Sequence, residues 1–131
     1  MQLPDNMRYS IWWYGIGALL LLAVIVSSLV PVPRIESAPN DKLIHFLLYL
    51  VPMAWFGQLR LRRHWLALGF ILLGFLLELI QGQTRYRTFE WLDVVANSTG
   101  VIVAWLVVTT PMGQVLRRLD QWLQTRRPGV Q

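Results

Sequence analysis

The chain has 131 residues, of which 55% are hydrophobic and only 15% are Asp, Glu, Lys or Arg, against about 25% charged residues in ordinary soluble domains. At about 20 mostly apolar residues per crossing, this length accommodates four membrane helices with short connections and no separate water-soluble catalytic domain. The formal charge is +5 and there is no cysteine, which excludes disulfides, thiol catalysis, cysteine-ligated zinc and iron–sulfur clusters.

The first apolar run, Ile11 to Val30, carries no charge and is long enough to cross a bilayer. A cleaved signal peptide is the competing reading, but it has a shorter apolar stretch behind a clearly basic start, whereas this start holds Asp5 and a single Arg8. Pro31 to Asn40 contains three prolines and is expected to be a connecting loop, since proline cannot continue a helix interior. A second helix is expected over 41–59, interrupted by His45, Tyr49 and Pro52 and closed by the Arg60, Arg62, Arg63, His64 cluster. A third is expected over 65–81, with Glu78 near its end and Gly82 as its stop. A fourth is expected over 90–110, with Asp93 and Asn97 near its start and Pro111 beyond its end. In the tail, 112–127, Val115, Leu116, Leu119, Trp122 and Leu123 fall at helical spacing, with Arg117, Arg118, Gln121 and Gln124 mostly on the other side. That pattern predicts a short amphipathic helix in the membrane interface. The expected fold is therefore all-α: four transmembrane helices in a single domain, with an interfacial fifth.

With four crossings, the amino terminus, the second loop and the tail share one side. That side holds Arg8, Arg60, Arg62, Arg63, Arg117, Arg118, Arg126 and Arg127, eight basic residues, against four on the other, Arg34, Lys42, Arg85 and Arg87. The excess of Lys and Arg on cytoplasmic loops predicts that both termini are cytoplasmic. The positive charge thus serves topology, and nucleic acid is not an expected partner. Trp12, Trp13, Trp55 and Trp65 are expected at the inner boundary and Trp91 at the outer one.

The polar residues converge on the outer face. Asp41, Lys42, His45 and Tyr49 occupy the first turns of the second helix, Glu78 and Gln81 the last turn of the third, and Asp93 and Asn97 the first turns of the fourth. Spacings of three and four place Lys42, His45 and Tyr49, Glu78 with Gln81, and Asp93 with Asn97 each on one side of its helix. Gly100 continues the Asp93 and Asn97 stripe, where it would let another helix approach closely. An ionised carboxylate facing lipid is costly, so Glu78 and Asp93 should face the bundle interior or water. Lys42, His45, Arg85 and Arg87 are the available cationic partners.

The ordered set Asp41, Lys42, His45, Phe46, Tyr49, then Glu78, Gln81, Arg87, and finally Asp93, Ala96, Asn97, Gly100 resembles the VanZ-like family of small bacterial membrane proteins, over about Asp41 to Trp105. Arg87 rather than Arg85 is favoured as the family's loop arginine. The family is named for a protein associated with resistance to the glycopeptide teicoplanin. The resemblance implies a cell-envelope role in the bacterial cytoplasmic membrane and supplies no established reaction.

Several functions suit such a cluster. As a binding site of Asp41, Lys42, His45, Tyr49, Glu78, Gln81, Arg87, Asp93 and Asn97, it would engage a lipid-linked or cell-wall precursor, with arginine holding phosphate or carboxylate bidentately and Tyr86 and Trp91 adding aromatic contact. As an enzyme, it would use His45, Glu78 and Asp93 for proton transfer, Asp41 orienting or sharing that work and Arg87 stabilising negative charge. No nucleophile is evident, since Ser98 and Thr99 carry no motif. A structural latch among the outer helix ends, or transport through Glu78 or Asp93 in an oligomer, completes the set. A metal held by His45, Glu78 and Asp93 is disfavoured because one histidine and two carboxylates have no diagnostic spacing; no metal or cofactor is expected. Membrane lipids are the expected partners, and a homo-oligomer is compatible with the sequence.

Overall fold

A computed structural model describes residues 7–31, 40–59 and 62–126. Among these, five α-helices and no strand are present: α1 (Ser10–Leu29), α2 (Asp41–Phe56), α3 (Arg63–Gly82), α4 (Trp91–Thr109) and α5 (Val115–Thr125), with a 3-10 turn over Pro111–Gln114 between the last two. The proline-rich connection lies outside the described residues at positions 32–39, as do Arg60 and Arg127.

Three helices, α1, α3 and α4, are long and apolar enough to cross a membrane. α2 ends at Phe56, short of the expected 59, and continues as a turn through Leu59. Its 16 residues rise about 24 Å, less than the roughly 30 Å of a hydrocarbon core. Gly57 marks the break, where a Cβ would press 2.9 Å from the Val108 side chain of α4. α3 begins at Arg63, two residues before its apolar run, because the polar residues Arg63 and His64 extend the helix past the apolar boundary.

α2 lies at the centre, packed chiefly against α4. Gly100 makes this possible: a Cβ there would fall on the carbonyl oxygen of Phe46 in α2. The main core joins Val24 of α1, Tyr49 and Met53 of α2, Phe70 and Leu77 of α3 and Val101 of α4. Around it the outer faces stay apolar and uncovered, with Leu19, Leu22, Leu72, Leu76, Ile102 and Leu106 all exposed. So much bare apolar surface on every spanning helix fits contact with lipid and not with water.

A second core, Met7, Trp13, Leu59 and Leu116, closes the end where α1 begins and α2 ends. Here the tail differs from a freely lying interfacial helix. Leu116 and Asp120 are buried and Leu123 packs against the same cluster, whereas Val115, Leu119 and Trp122 remain exposed. α5 therefore divides its apolar residues between the bundle and its surroundings. Asp120, which the sequence pattern did not single out, is fully buried. It accepts from the backbone N–H of Arg8 and Tyr9, each at 3.1 Å, from Trp13 Nε1 at 2.8 Å and from Gln124 Nε2 at 2.6 Å. Trp13 and Trp55, expected near this boundary, also pack against each other. Trp55 Nε1 donates to the Trp13 carbonyl at 2.9 Å and their rings pack 6.0 Å apart. Trp12, Trp65 and Trp91, by contrast, are exposed at helix ends, the position of interfacial aromatics.

Candidate functional site

The opposite end of the bundle gathers the start of α2, the end of α3 and the start of α4. The connection from α3 to α4 is folded back over it, with the Phe89 Cβ 2.8 Å from where a Gly82 Cβ would stand. The Phe89 ring packs edge-on to Trp91 at 4.9 Å. This fold-back brings Glu90, which immediately precedes α4, against the buried Glu78 of α3: the Glu90 N–H donates to Glu78 Oε1 at 2.9 Å. Glu78 thus satisfies a backbone donor at the helix start, where dipole and unpaired N–H groups favour an anion.

The geometric centre of the site is Asp93, fully sealed from solvent. Lys42, half-exposed on α2, pairs with Asp93 Oδ1, with Glu90 Oε2 at 2.8 Å and with Asp41 Oδ2 at 3.4 Å. The other oxygens of the two aspartates face the buried imidazole of His45, whose Nε2 stands 3.5 Å from Asp93 Oδ2 and 3.9 Å from Asp41 Oδ1. On the far edge of the ring, His45 Nδ1 lies 3.2 Å from Asn97 Oδ1. A carbonyl oxygen only accepts, so this contact calls for a proton on Nδ1 and leaves Nε2 as the ring atom facing the aspartates.

The structure therefore brings together Asp41, Lys42, His45, Asp93 and Asn97, with Glu78 adjoining through Glu90 and lying within electrostatic reach of His45, Asp93 and Arg87. Arg87 Nε is buried and has no hydrogen-bond partner among the described residues. Two expected site residues are turned elsewhere. Gln81 Nε2 donates to the Ser28 carbonyl of α1 at 2.6 Å, tying the ends of α1 and α3. Tyr49 is buried one turn deeper, its ring against Gly74 of α3. Glu90, not among the expected site residues, joins the cluster through Lys42 and Glu78. Its position just before an apolar helix, beside the acidic Asp93, was the available signal that it belongs to the helix start.

A half-buried cation, several carboxylates and an imidazole at one level are suited to proton transfer, to holding a cation, or to positioning an anionic headgroup against Arg87. Comparison with known proteins gives two matches. The sequence model of the family described as VanZ/LLP1 matches residues 22–114. An uncharacterized protein of Schizosaccharomyces pombe is 28% identical over 113 residues, covering 82% of this chain and 70% of the relative. No solved structure matches.

Proposed function

The chain belongs to the VanZ/LLP1 family, and from that premise we propose that it is a four-crossing protein of the bacterial cytoplasmic membrane that engages the phosphate-bearing headgroup of a lipid-linked cell-wall precursor. In this reading α2 is the fourth crossing. Its short helix packs against the other three, bares Leu43, Ile44, Leu47 and Val51 and is extended by the turn to Leu59. Both termini are cytoplasmic, on the count of eight basic residues against four, and the polar site opens at the outer boundary.

The observation that carries the binding reading is Arg87: its buried guanidinium Nε has no hydrogen-bond partner among the described residues, and a headgroup phosphate would supply one. A charge-assisted contact of that kind is worth about 1.5–3 kcal/mol. Lys42 acts differently. It is drawn into the carboxylates and holds them in register, leaving Arg87 and the exposed Arg85 as the arms for the anion. The consequence for the cell is altered presentation of the precursor at the surface, and with it altered sensitivity to teicoplanin.

An enzyme acting on the same precursor is the second reading. It is favoured by the aligned His45 and Asp93, which supply an oriented base beside a buried carboxylate.

The test uses protein in nanodiscs of zwitterionic lipid, titrated with a polyprenyl diphosphate. Saturable binding that weakens about tenfold in Arg87→Ala is expected; binding unchanged by that variant removes the proposal. Product formation from the diphosphate would move the conclusion to the enzyme. Topology is read separately in whole cells, since the chain has no native cysteine. Thr84→Cys should react with an impermeant maleimide and Thr125→Cys only after lysis. The reverse pattern overturns the orientation.

A further inference from the structure

We infer that Asp41, His45 and Asp93 form a binding site for a divalent metal ion of the zinc type. Their three ligand atoms lie within 4.8 Å of one another. The neighbours of these side chains fix which atoms converge. Lys42 takes Asp41 Oδ2 and Asp93 Oδ1, so each carboxylate turns its second oxygen toward His45. Asn97 takes the Nδ1 proton, so the ring turns its Nε2 lone pair toward the carboxylates. Three possible ligand atoms thus lie around one small volume.

The spacing favours a metal over a proton. A hydrogen bond from an imidazolium to a carboxylate spans about 2.7–3.2 Å, and both separations here, 3.5 and 3.9 Å, are longer. Two ligands each about 2.1 Å from a tetrahedral ion stand about 3.4 Å apart, the spacing of His45 Nε2 and Asp93 Oδ2. One imidazole with two carboxylates suits Zn²⁺ and other first-row dications. Asn97 fills the role of the outer partner that ordinarily fixes the tautomer of a metal-bound histidine. This constellation differs from the His45, Glu78 and Asp93 set that the sequence disfavoured: Asp41 replaces Glu78, which accepts from the Glu90 N–H. Asp41 and His45 sit one helical turn apart on α2, and Asp93 comes from the start of α4. Three protein ligands leave a fourth position for water or for a phosphate oxygen. Only the identity of that fourth ligand rests on the headgroup reading above.

The test is Zn²⁺ binding to purified protein in zwitterionic nanodiscs, with no precursor present, so that its result is independent of headgroup recognition. One ion per chain is expected, and Co²⁺ in its place should give the visible absorption of a low-coordinate nitrogen and oxygen site. Asp41→Asn, at a half-exposed position, and His45→Ala should each weaken binding at least tenfold, and Asn97→Ala about tenfold. His64→Ala, near the start of α3 at the other end of the bundle, should leave it unchanged. Far-ultraviolet circular dichroism establishes that each variant keeps its helices, and Asp41→Asn decides the matter if His45→Ala does not. No saturable binding by the wild type, or binding that survives Asp41→Asn, overturns the proposal.

Discussion

Lys42 and Asp93 are 51 positions apart in the chain and pair directly between α2 and α4, with the ammonium half-exposed and the carboxylate closed off from solvent. The two partners are therefore not equivalent. Lys42→Met removes a cation from a buried carboxylate and is expected to cost about 3 kcal/mol. Asp93→Asn leaves a cation that water and Glu90 still reach, and should cost less. Unfolding of both variants and of the double variant in mild detergent gives the comparison. Equal losses in the two single variants would mean that the pair is solvated on both sides.

Gly100 predicts a steric effect of the opposite kind. Because a methyl group there meets the Phe46 carbonyl, Gly100→Ala should force α2 and α4 apart, at about 1–3 kcal/mol. It should also spread the site, since His45 and Asp93 ride on these two helices. Gly15, with open space around it, is the control: Gly15→Ala should leave stability unchanged or slightly raised. Thermal unfolding of the two variants side by side measures the difference.

Asp120 makes the docking of α5 dependent on pH. Burial alone would raise its pKa, but the hydrogen bonds from Trp13, Gln124, Tyr9 and Arg8 outweigh that and hold the carboxyl below its ordinary value. A depressed folded pKa means that the folded form binds the proton less readily than the unfolded one. Its contribution is therefore complete above the ordinary aspartate pKa, about 3.9, and is lost as pH falls through the lower folded value. Tryptophan fluorescence should report release of α5 from Trp13 on acidification. Asp120→Ala should release it already at neutral pH, at a cost of about 1–3 kcal/mol.

Gln81 predicts a local change. Its bond to the Ser28 carbonyl joins α1 to α3 without entering the ion-pair cluster, so Gln81→Leu should loosen the end of α1 and leave Zn²⁺ binding intact. Hydrogen exchange over residues 24–30 should rise. A loss of Zn²⁺ binding in this variant would return Gln81 to the site.

The legible part of the site was its membership by level and face. Spacings of three and four put Lys42 with His45 and Asp93 with Asn97, and all four side chains lie at the same end of the bundle. Tyr49 continued the same stripe but lies one turn deeper, its ring against Gly74 and its hydroxyl within reach of Ser28 and Glu78. Asp120 was not legible at all. A single acid among arginines and glutamines on an amphipathic helix has the pattern of a solvated face, and only the approach of residues 8–13 from the other end of the chain turns it inward.

The apolar runs by themselves determined an all-helical protein with bare outer faces, the positions of most helix ends, and the gathering of scarce polar groups at one end, because residue period and bilayer thickness act along the chain. The tertiary structure alone decided which polar atoms meet: Lys42 with Asp93, His45 with Asn97, Glu78 with the Glu90 N–H, and Asp120 with the start of α1. Periodicity states which face a side chain leaves by. The partner that it finds depends on the close crossing of α2 and α4 at Gly100 and on the folded-back connection before α4, and neither is encoded within a single helix.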